Sequence, residues 1–298
     1  MPVDFADFLQ GKFALDERSL NREVRAAFLD ELGRLPEIHC LDVGTGTCAT
    51  LRRLLNSGWA APLFLTALDR DPGLLGIARR DAAGWLRASG LEPRMEEGVL
   101  RTCGQRIIEI RFVEGELKDH RAHRRYNVVT AHAFLDIVPL HEALRLFAAW
   151  LQPGGLLYAS SHYDGDTALL PVYDDAGFEA ELLAHYNRTM EQRRVDGQGT
   201  GGAHCGRRLH GLLPEHGFDI SAYGASDWSI TPFMGEYRDS DAVCLEALLE
   251  MILGEGQRSG RFPAQRLDRW HEQRFGLLRQ RRLGLIVHQL DLLARYRV

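Results

Sequence analysis

The sequence predicts an α/β fold in which a mostly parallel sheet carries helices on both faces. Apolar residues recur at helical spacing in several segments, and short continuous apolar runs separate these segments. The two kinds of segment alternate from residue 20 to residue 160. Such alternation builds βαβ units, because parallel neighbours need a long crossover and a helix usually supplies it. A chain of 298 residues, 45% of them hydrophobic, is long enough to bury a core of this kind.

The first predicted helix covers 20–32, where Val24 and Leu32 share one face, and Pro36 separates it from the first strand. The elements predicted after it are, in chain order, strand 38–43, helix 51–55, strand 63–68, helix 74–86, strand 107–113, strand 126–131, helix 140–150 and strand 156–160. Segment 98–113 also allows a hairpin, since a Cys-Gly-Gln sequence separates two strand-like runs.

Beyond residue 161 the alternation stops, and strand-like runs return only near 218–228 and 285–293. We therefore divide the chain into four parts. They are an N-terminal helical cap (1–35), a sheet core (36–161), an insertion over the sheet (162–213), and the last strands of the core with a helical insertion (214–298, with the helices in 242–281).

Composition excludes several classes of protein. A net charge of −5 argues against a phosphate backbone as the main partner, so we expect no nucleic acid. The five cysteines are dispersed and form no Cys-x-x-Cys pair, which argues against a disulfide framework and against a metal site. The N-terminus lacks the basic stretch followed by an apolar stretch that marks a leader peptide, and no apolar run reaches the ~18 residues of a membrane span. We expect a cytoplasmic protein with no membrane partner.

A carboxylate and two glycines mark the end of the first predicted strand. Asp42, Gly44, Thr45 and Gly46 lead from this strand into a helix, where glycines let a ligand approach and free N–H groups favour negative charge. With Ala49 the glycines also fit the dinucleotide pattern G-x-G-x-x-A, so they leave the cofactor open. Asp42 favours one choice, because a carboxylate repels a pyrophosphate but accepts hydrogen bonds from the ammonium of an amino-acid-like cofactor.

Two further acids follow the next strands. Asp69 ends the second strand, where a carboxylate can hold both hydroxyls of a ribose. Glu116 follows the third strand and is placed to reach the edge of an adenine. Their neighbours Arg70 and Leu117 are predicted to line the same site. A Leu-Gln-Pro-Gly-Gly turn at 151–155 then feeds the strand at 156–160.

In this order and spacing, the motifs resemble those of class I S-adenosylmethionine-dependent methyltransferases. The glycine loop looks like that family's first motif, Asp69 like its ribose-binding acid, Glu116 like its adenine-side acid, and the turn at 151–155 like the turn before its fifth strand. The likeness covers roughly 38–161, and it departs at Cys48, where the family commonly has a third glycine. It implies a Rossmann-like, doubly wound sheet of seven strands, the last antiparallel, for which 285–293 is our candidate.

The resemblance implies S-adenosylmethionine as cofactor and in-line attack of an N, O, S or C nucleophile on its methyl group. The protein then supplies mainly proximity and alignment, with a base only where the acceptor must lose a proton. Ala131 and His132 follow the fourth strand and are expected beside the methyl group. His132, His162 and Asp164 are the candidate catalytic residues, although each could instead serve packing or a turn.

We expect a small-molecule acceptor, enclosed by the insertion and the helices of 242–281. Phe134, Tyr163 and Trp228 are candidate walls of its pocket, and Arg188 and Arg207 are candidate ligands for an anionic acceptor. The sequence also allows a homodimer.

Two other functions fit the same sequence. A nicotinamide-dependent oxidoreductase would use a similar fold, but Asp42 and the Pro-Gly-Gly turn argue against it. A non-catalytic cofactor-binding protein is the second alternative, and Cys48 leaves room for it. A base-modifying methyltransferase is disfavoured, because no Asn-Pro-Pro-Tyr/Phe motif follows the fourth strand.

Overall fold

A computed structural model describes residues 5–104 and 106–297. The α-helices of these residues are Phe5–Gly11 (α1), Phe13–Ser19 (α2), Arg22–Leu32 (α3), Ala49–Asn56 (α4), Pro72–Ala88 (α5), Leu140–Trp150 (α6), Ala176–Glu191 (α7), Cys205–Glu215 (α8), Asp241–Ser259 (α9) and Ala264–Arg279 (α10). The strands are Ile38–Val43 (β1), Leu63–Asp69 (β2), Glu92–Glu96 (β3), Val99–Cys103 (β4), Ile108–Glu114 (β5), Tyr126–His132 (β6), Leu151–Leu170 (β7), Arg194–Val195 (β8), Gln198–Gly199 (β9), Phe218–Ala225 (β10), Trp228–Ile230 (β11) and Gly284–Tyr296 (β12).

One sheet organises the molecule, in the order β10-β12-β7-β6-β1-β2-β5-β4-β3, with β11 paired to β12. Strands β5, β2, β1, β6 and β7 are mutually parallel, which is the 3-2-1-4-5 order of a doubly wound fold. Strand β12 lies antiparallel between β7 and β10. The predicted fold class is confirmed, with β3, β4 and β11 added to the seven expected strands. The hairpin alternative at 98–113 is also confirmed, since β4 pairs antiparallel with β5.

Helices cover the two faces of this sheet. On the first face, α4 and α5 bury Leu51 and Ala82 among the residues of β1, β2 and β5. Helix α3 lies on the same face beside β10 and β12, and its Phe28 stacks on Tyr158 of β7. On the second face, α6 and α8 bury Phe147 and Leu209 against β1, β6 and β7. The helical patterns predicted for α3, α4, α5 and α6 thus correspond to real core faces, whereas α8 was not predicted.

The predicted end of strand β7 at residue 160 is wrong. Strand β7 continues to Leu170 and pairs with β12 from Leu156↔Arg295 to Leu170↔Gly284. The stretch after Ser160 stays in the sheet through its backbone, which pairs with β12 and whose Ser161 N–H donates to Asp291 Oδ1 at 2.7 Å. The segment that leaves the sheet therefore begins after Leu170 and not at residue 162.

Helices α7, α9 and α10 pack together as one unit around the extended ends of β7, β11 and β12. A buried ion pair fixes this unit: Arg274, 1% exposed, donates to Glu179, and the Trp270 indole N–H donates to the same carboxylate at 2.7 Å. Helix α1 contacts α9, so the N-terminal helices lie against this unit. Among the described residues, no helix combines the length and apolarity needed to cross a membrane.

Candidate active site

The glycine loop after β1 is shaped by left-handed backbone conformations. Gly44 has φ +61° and Gly46 has φ +53°, a region that L side chains rarely adopt. The ring of Phe134 lies directly on Gly44, where an added Cβ would stand 2.1 Å from ring atom Cδ2. At Gly46 the Cβ position is 3.4 Å from Leu9 Cδ1. Glycine is therefore required at residue 44, and the loop lies beneath Phe134 and helix α1.

Cys48, at the position of the family's usual third glycine, also has a left-handed backbone, with φ 64°. Its side chain is fully buried, and burial together with Asp42 raises the pKa of the thiol to about 12. The residue is thus an inert, packed thiol that keeps the backbone conformation for which glycine is normally selected.

Asp42 anchors the glycine loop from below. It is 2% exposed, and its carboxylate accepts hydrogen bonds from the hydroxyls of Thr45 (2.5 Å), Thr50 (2.9 Å) and Thr130 (2.6 Å). Burial raises the pKa of Asp42, and these three hydrogen bonds oppose the rise. Asp42 thus holds the loop through three threonines, and its predicted contact with the cofactor's ammonium stays a prediction.

The ribose-side and adenine-side acids meet at the same edge of the sheet. Asp69 Oδ2 accepts the Gly46 N–H at 2.8 Å, which ties the second strand to the glycine loop. Asp69 pairs in register with the last residue of β5, and Glu116 follows two positions later. Arg70 and Glu116 approach to 3.5 Å, both largely exposed. Leu117 opens a short 3-10 turn beside them.

His132 ends β6 and faces a buried ionic network. Its Nδ1 lies 2.8 Å from Ser160 Oγ, and its Nε2 lies 3.0 Å from Asp16 Oδ2 and 2.9 Å from a guanidinium nitrogen of Arg53. Burial and the adjacent Arg53 lower the pKa of His132 to about 3, so its ring is neutral at pH 7. Ala131, just before it, is fully buried in the sheet.

Asp16 of helix α2 is the centre of that network. It is 2% exposed, and it accepts hydrogen bonds from Trp228 Nε1 at 2.9 Å and from Lys12 Nζ at 2.7 Å. Burial alone would raise the pKa of Asp16, but Lys12, His132 and Arg53 together hold it well below its usual range. These contacts clamp α2 over the end of β6.

The two other candidate bases are held by protein contacts. His162 is fully buried, its Nε2 accepts the Leu135 N–H at 3.2 Å, and burial lowers its pKa to about 3. Asp164, 3% exposed, accepts from the backbone N–H and from Nε of Arg207, each at 2.8 Å. His162 thus supports the turn that carries Phe134, while Asp164 and Arg207 satisfy each other.

The predicted acceptor residues are distributed around this region. Tyr163 donates its hydroxyl hydrogen to Asn187 of α7 at 2.8 Å, and Trp228 is buried against α2. Arg188 is exposed on α7. The structure brings Phe134, Trp228 and His132 to one end of the sheet, whereas Arg188 lies on the outside of the helical cover.

Sequence reasoning missed Lys12, Asp16, Arg53 and Asp136. The first three stand among ordinary surface-type polar residues, and the partner of Asp16 on β11 is 212 residues away in the chain. Asp136 follows Phe134 by two positions, and its side-chain oxygen Oδ1 is buried without a hydrogen-bond partner among the described residues. Only the position of Asp136 just after the fourth strand could have marked it.

Comparison with solved structures identifies the fold. A Bacillus halodurans protein assigned to the methyltransferases aligns with a TM-score of 0.52 at 15% identity, covering 91% of this chain and 98% of that one. The YcgJ protein of Bacillus subtilis gives 0.49 at 13% identity, covering 93% and 100%. A Thiobacillus denitrificans S-adenosylmethionine-dependent methyltransferase in complex with S-adenosylhomocysteine gives 0.46 at 13% identity, covering 100% of both chains.

No protein-family model matches the sequence, and a search of curated proteins found no match. The Bacillus halodurans structure shows that the two chains share a fold. The resemblance to class I methyltransferases is thereby confirmed at the level of the fold.

Proposed function

We propose that this chain transfers a methyl group from S-adenosylmethionine to a small-molecule acceptor. The observation that carries the proposal is the meeting of the left-handed glycine turn, Asp69 and Glu116 at one edge of the sheet. Ligands of doubly wound folds bind at this edge, outside the carboxyl ends of the strands.

The residues present fit the cofactor. Gly44 and Gly46 form a cradle without side chains, and at Gly44 even a methyl group would collide with its cover. Each oxygen of Asp69 accepts one backbone N–H in this structure and keeps a second lone pair for a ribose hydroxyl. Glu116 is half exposed and offers a carboxylate to an adenine amino group.

When bound, S-adenosylmethionine supplies an electrophilic methyl group on a positively charged sulfur. The chain's own residues align the acceptor and exclude water. Phe134 and Leu9 lie over the glycine loop and shield it from solvent on that side. His132, neutral at pH 7, holds α2 through Asp16 and orients the end of β6.

Methyl transfer is tested with methyl-tritiated S-adenosylmethionine and a pooled extract of small metabolites. We expect label to pass to a compound in the extract, and the Asp69→Ala variant to lose most of this transfer. A thermal-shift titration compares S-adenosylhomocysteine with NAD. Stabilisation by NAD alone would favour the oxidoreductase, and binding of S-adenosylhomocysteine without any transfer would favour a non-catalytic binder.

A further inference from the structure

Two buried polar atoms without partners lie where the turn after β6 meets the segment between α7 and α8. They are Oδ1 of Asp136 and Oγ1 of Thr200, and neither has a hydrogen-bond partner among the described residues. The two segments are in direct contact: the Gly202 N–H donates to the Asp136 carbonyl at 2.9 Å, and a Cβ on Gly201 would stand 2.9 Å from Asp136 Cα. Buried polar atoms are normally satisfied, and among the unpartnered ones of the described residues these two stand on segments that hydrogen-bond to each other, which makes this contact our candidate ligand site.

This place adjoins the proposed cofactor site. Asp136 stands two residues beyond Phe134, whose ring lies on Gly44. Lys12, which precedes α2, and the hydroxyl-bearing Tyr186 of α7 both lie within electrostatic reach of Asp136. A molecule held at Asp136 would therefore lie next to the end of β6, beside which the methyl group is expected.

The charges around Asp136 define what the place can bind. Arg193, just after α7, lies within electrostatic reach of the Asp136 carboxylate, yet its guanidinium makes no hydrogen bond or ion pair with the described residues. Lys12 is also near, but its ammonium is already held by Asp16 at 2.7 Å. One carboxylate oxygen, one hydroxyl and one guanidinium thus remain for a ligand. A carboxylate complements an amine, and a guanidinium complements a carboxylate or phosphate.

We propose that Asp136, Thr200 and Arg193 form the acceptor site, and that it takes a small amine that also carries a carboxylate or phosphate group. The inference rests on the methyltransferase function proposed above. Asp136 receives the amine, Thr200 provides a hydrogen bond beside it, and the exposed Arg193 holds the anionic group.

Asp136 is also the proton acceptor of the reaction. Asp136 Oδ1 first takes a proton from the bound ammonium group, which frees the nitrogen lone pair. That lone pair forms the new bond to the methyl carbon, and the carbon–sulfur bond breaks with its electron pair staying on sulfur. Burial raises the pKa of Asp136, which makes its carboxylate a better base than an exposed aspartate.

The test is calorimetric titration of the full chain, loaded with S-adenosylhomocysteine, with two series of probes. The first runs from glycine to 6-aminohexanoate, the second contains aminoalkyl phosphates of the same lengths, and the acids without an amino group serve as blanks. We expect the amine probes of one series to bind, and the acids without an amino group to show no binding. Asp136→Asn and Arg193→Gln should each weaken binding by about tenfold or more, as for loss of a charged hydrogen bond. The exposed Asp166→Asn variant is the matched control and should bind like the wild type.

Melting temperature and S-adenosylhomocysteine affinity are measured for each variant to establish that it is folded. If the wild type fails to bind S-adenosylhomocysteine, the proposed function itself is wrong. If it binds S-adenosylhomocysteine but no amine probe, or if Asp136→Asn binds the probes as well as Asp166→Asn does, the acceptor site is wrong. For the probe that binds, the methylation rate of the wild type should rise with pH through the ionisation of Asp136. A Thr200→Val variant should keep that profile with weaker probe binding.

Discussion

Replacing Gly44 by alanine tests whether the glycine loop and Phe134 form the tight corner that the structure shows. The new Cβ would stand 2.1 Å from Phe134 Cδ2, on a backbone with φ +61°. The left-handed backbone costs a residue with a side chain about 1–2 kcal/mol. Displacing the ring costs about 1–3 kcal/mol more, as for other overpacked sites. We therefore expect Gly44→Ala to lower the free energy of unfolding by about 2–5 kcal/mol.

The double variant Gly44→Ala/Phe134→Ala separates the two costs, because removing the ring leaves only the backbone cost. In urea unfolding, the double variant should be more stable than the sum of the single changes predicts, by about 1–3 kcal/mol. Gly84→Ala is the matched control: its Cβ meets nothing within 4 Å on helix α5, so it should stabilise by about 0.5–1 kcal/mol. An additive double variant, or a Gly44→Ala effect below about 0.5 kcal/mol, would refute this reasoning.

Three further outcomes follow from the buried groups. Asp16→Ala leaves the buried Lys12 ammonium unpaired and should destabilise by about 3–5 kcal/mol in urea unfolding. The exposed Asp7→Ala on α1 should change stability little; equal effects of the two variants would contradict the network. Cys48→Gly should be about 1–2 kcal/mol more stable than Cys48→Ala, because φ is 64° at this residue. Inside helices the alanine variant is usually the more stable one, and that result here would argue against the left-handed backbone. His132 and His162, with pKa values of about 3 in the native protein, stay neutral while their unfolded counterparts take up protons below about pH 6.5. The free energy of unfolding should therefore fall as the pH decreases from about 6.5 to about 3, by up to about 1.4 kcal/mol per pH unit for each histidine. In unfolding curves from pH 4 to pH 7, the free energy of unfolding of His162→Gln should depend less steeply on pH than that of the wild type. An unchanged pH dependence would place His162 in a solvated setting.

The sheet core could be predicted from the sequence because its signals are local. Apolar runs fix β1, β2, β5 and β6, and a helix such as α5 carries its own start signal, since the Asp71 side chain accepts from the N–H groups of Gly73 and Leu74. Strand β7 was predicted too short because a polar stretch normally ends a strand. Here distant groups pair with the backbone of that stretch, among them Asp291, which is 130 residues from Ser161 in the chain.

The site was predictable only where the motif itself is local. The glycine loop, Asp69 and Glu116 meet as expected, since the carboxyl ends of parallel strands share one edge. The three threonines that donate to the Asp42 carboxylate could not be predicted, because they lie on separate elements. Asp16 depends wholly on tertiary contacts, and no pattern in the chain announces such contacts.

The dissociation constant of S-adenosylhomocysteine, measured calorimetrically for the wild type, Asp69→Ala and Asp71→Ala, tests the central claim most directly. We predict one-to-one binding by the wild type, weakened by about tenfold or more in Asp69→Ala through loss of charged hydrogen bonds. Asp71→Ala removes the cap of α5 and should lower stability by about 1 kcal/mol while leaving the dissociation constant unchanged. Absence of binding by the folded wild type, or equal affinities for the wild type and Asp69→Ala, would contradict the account.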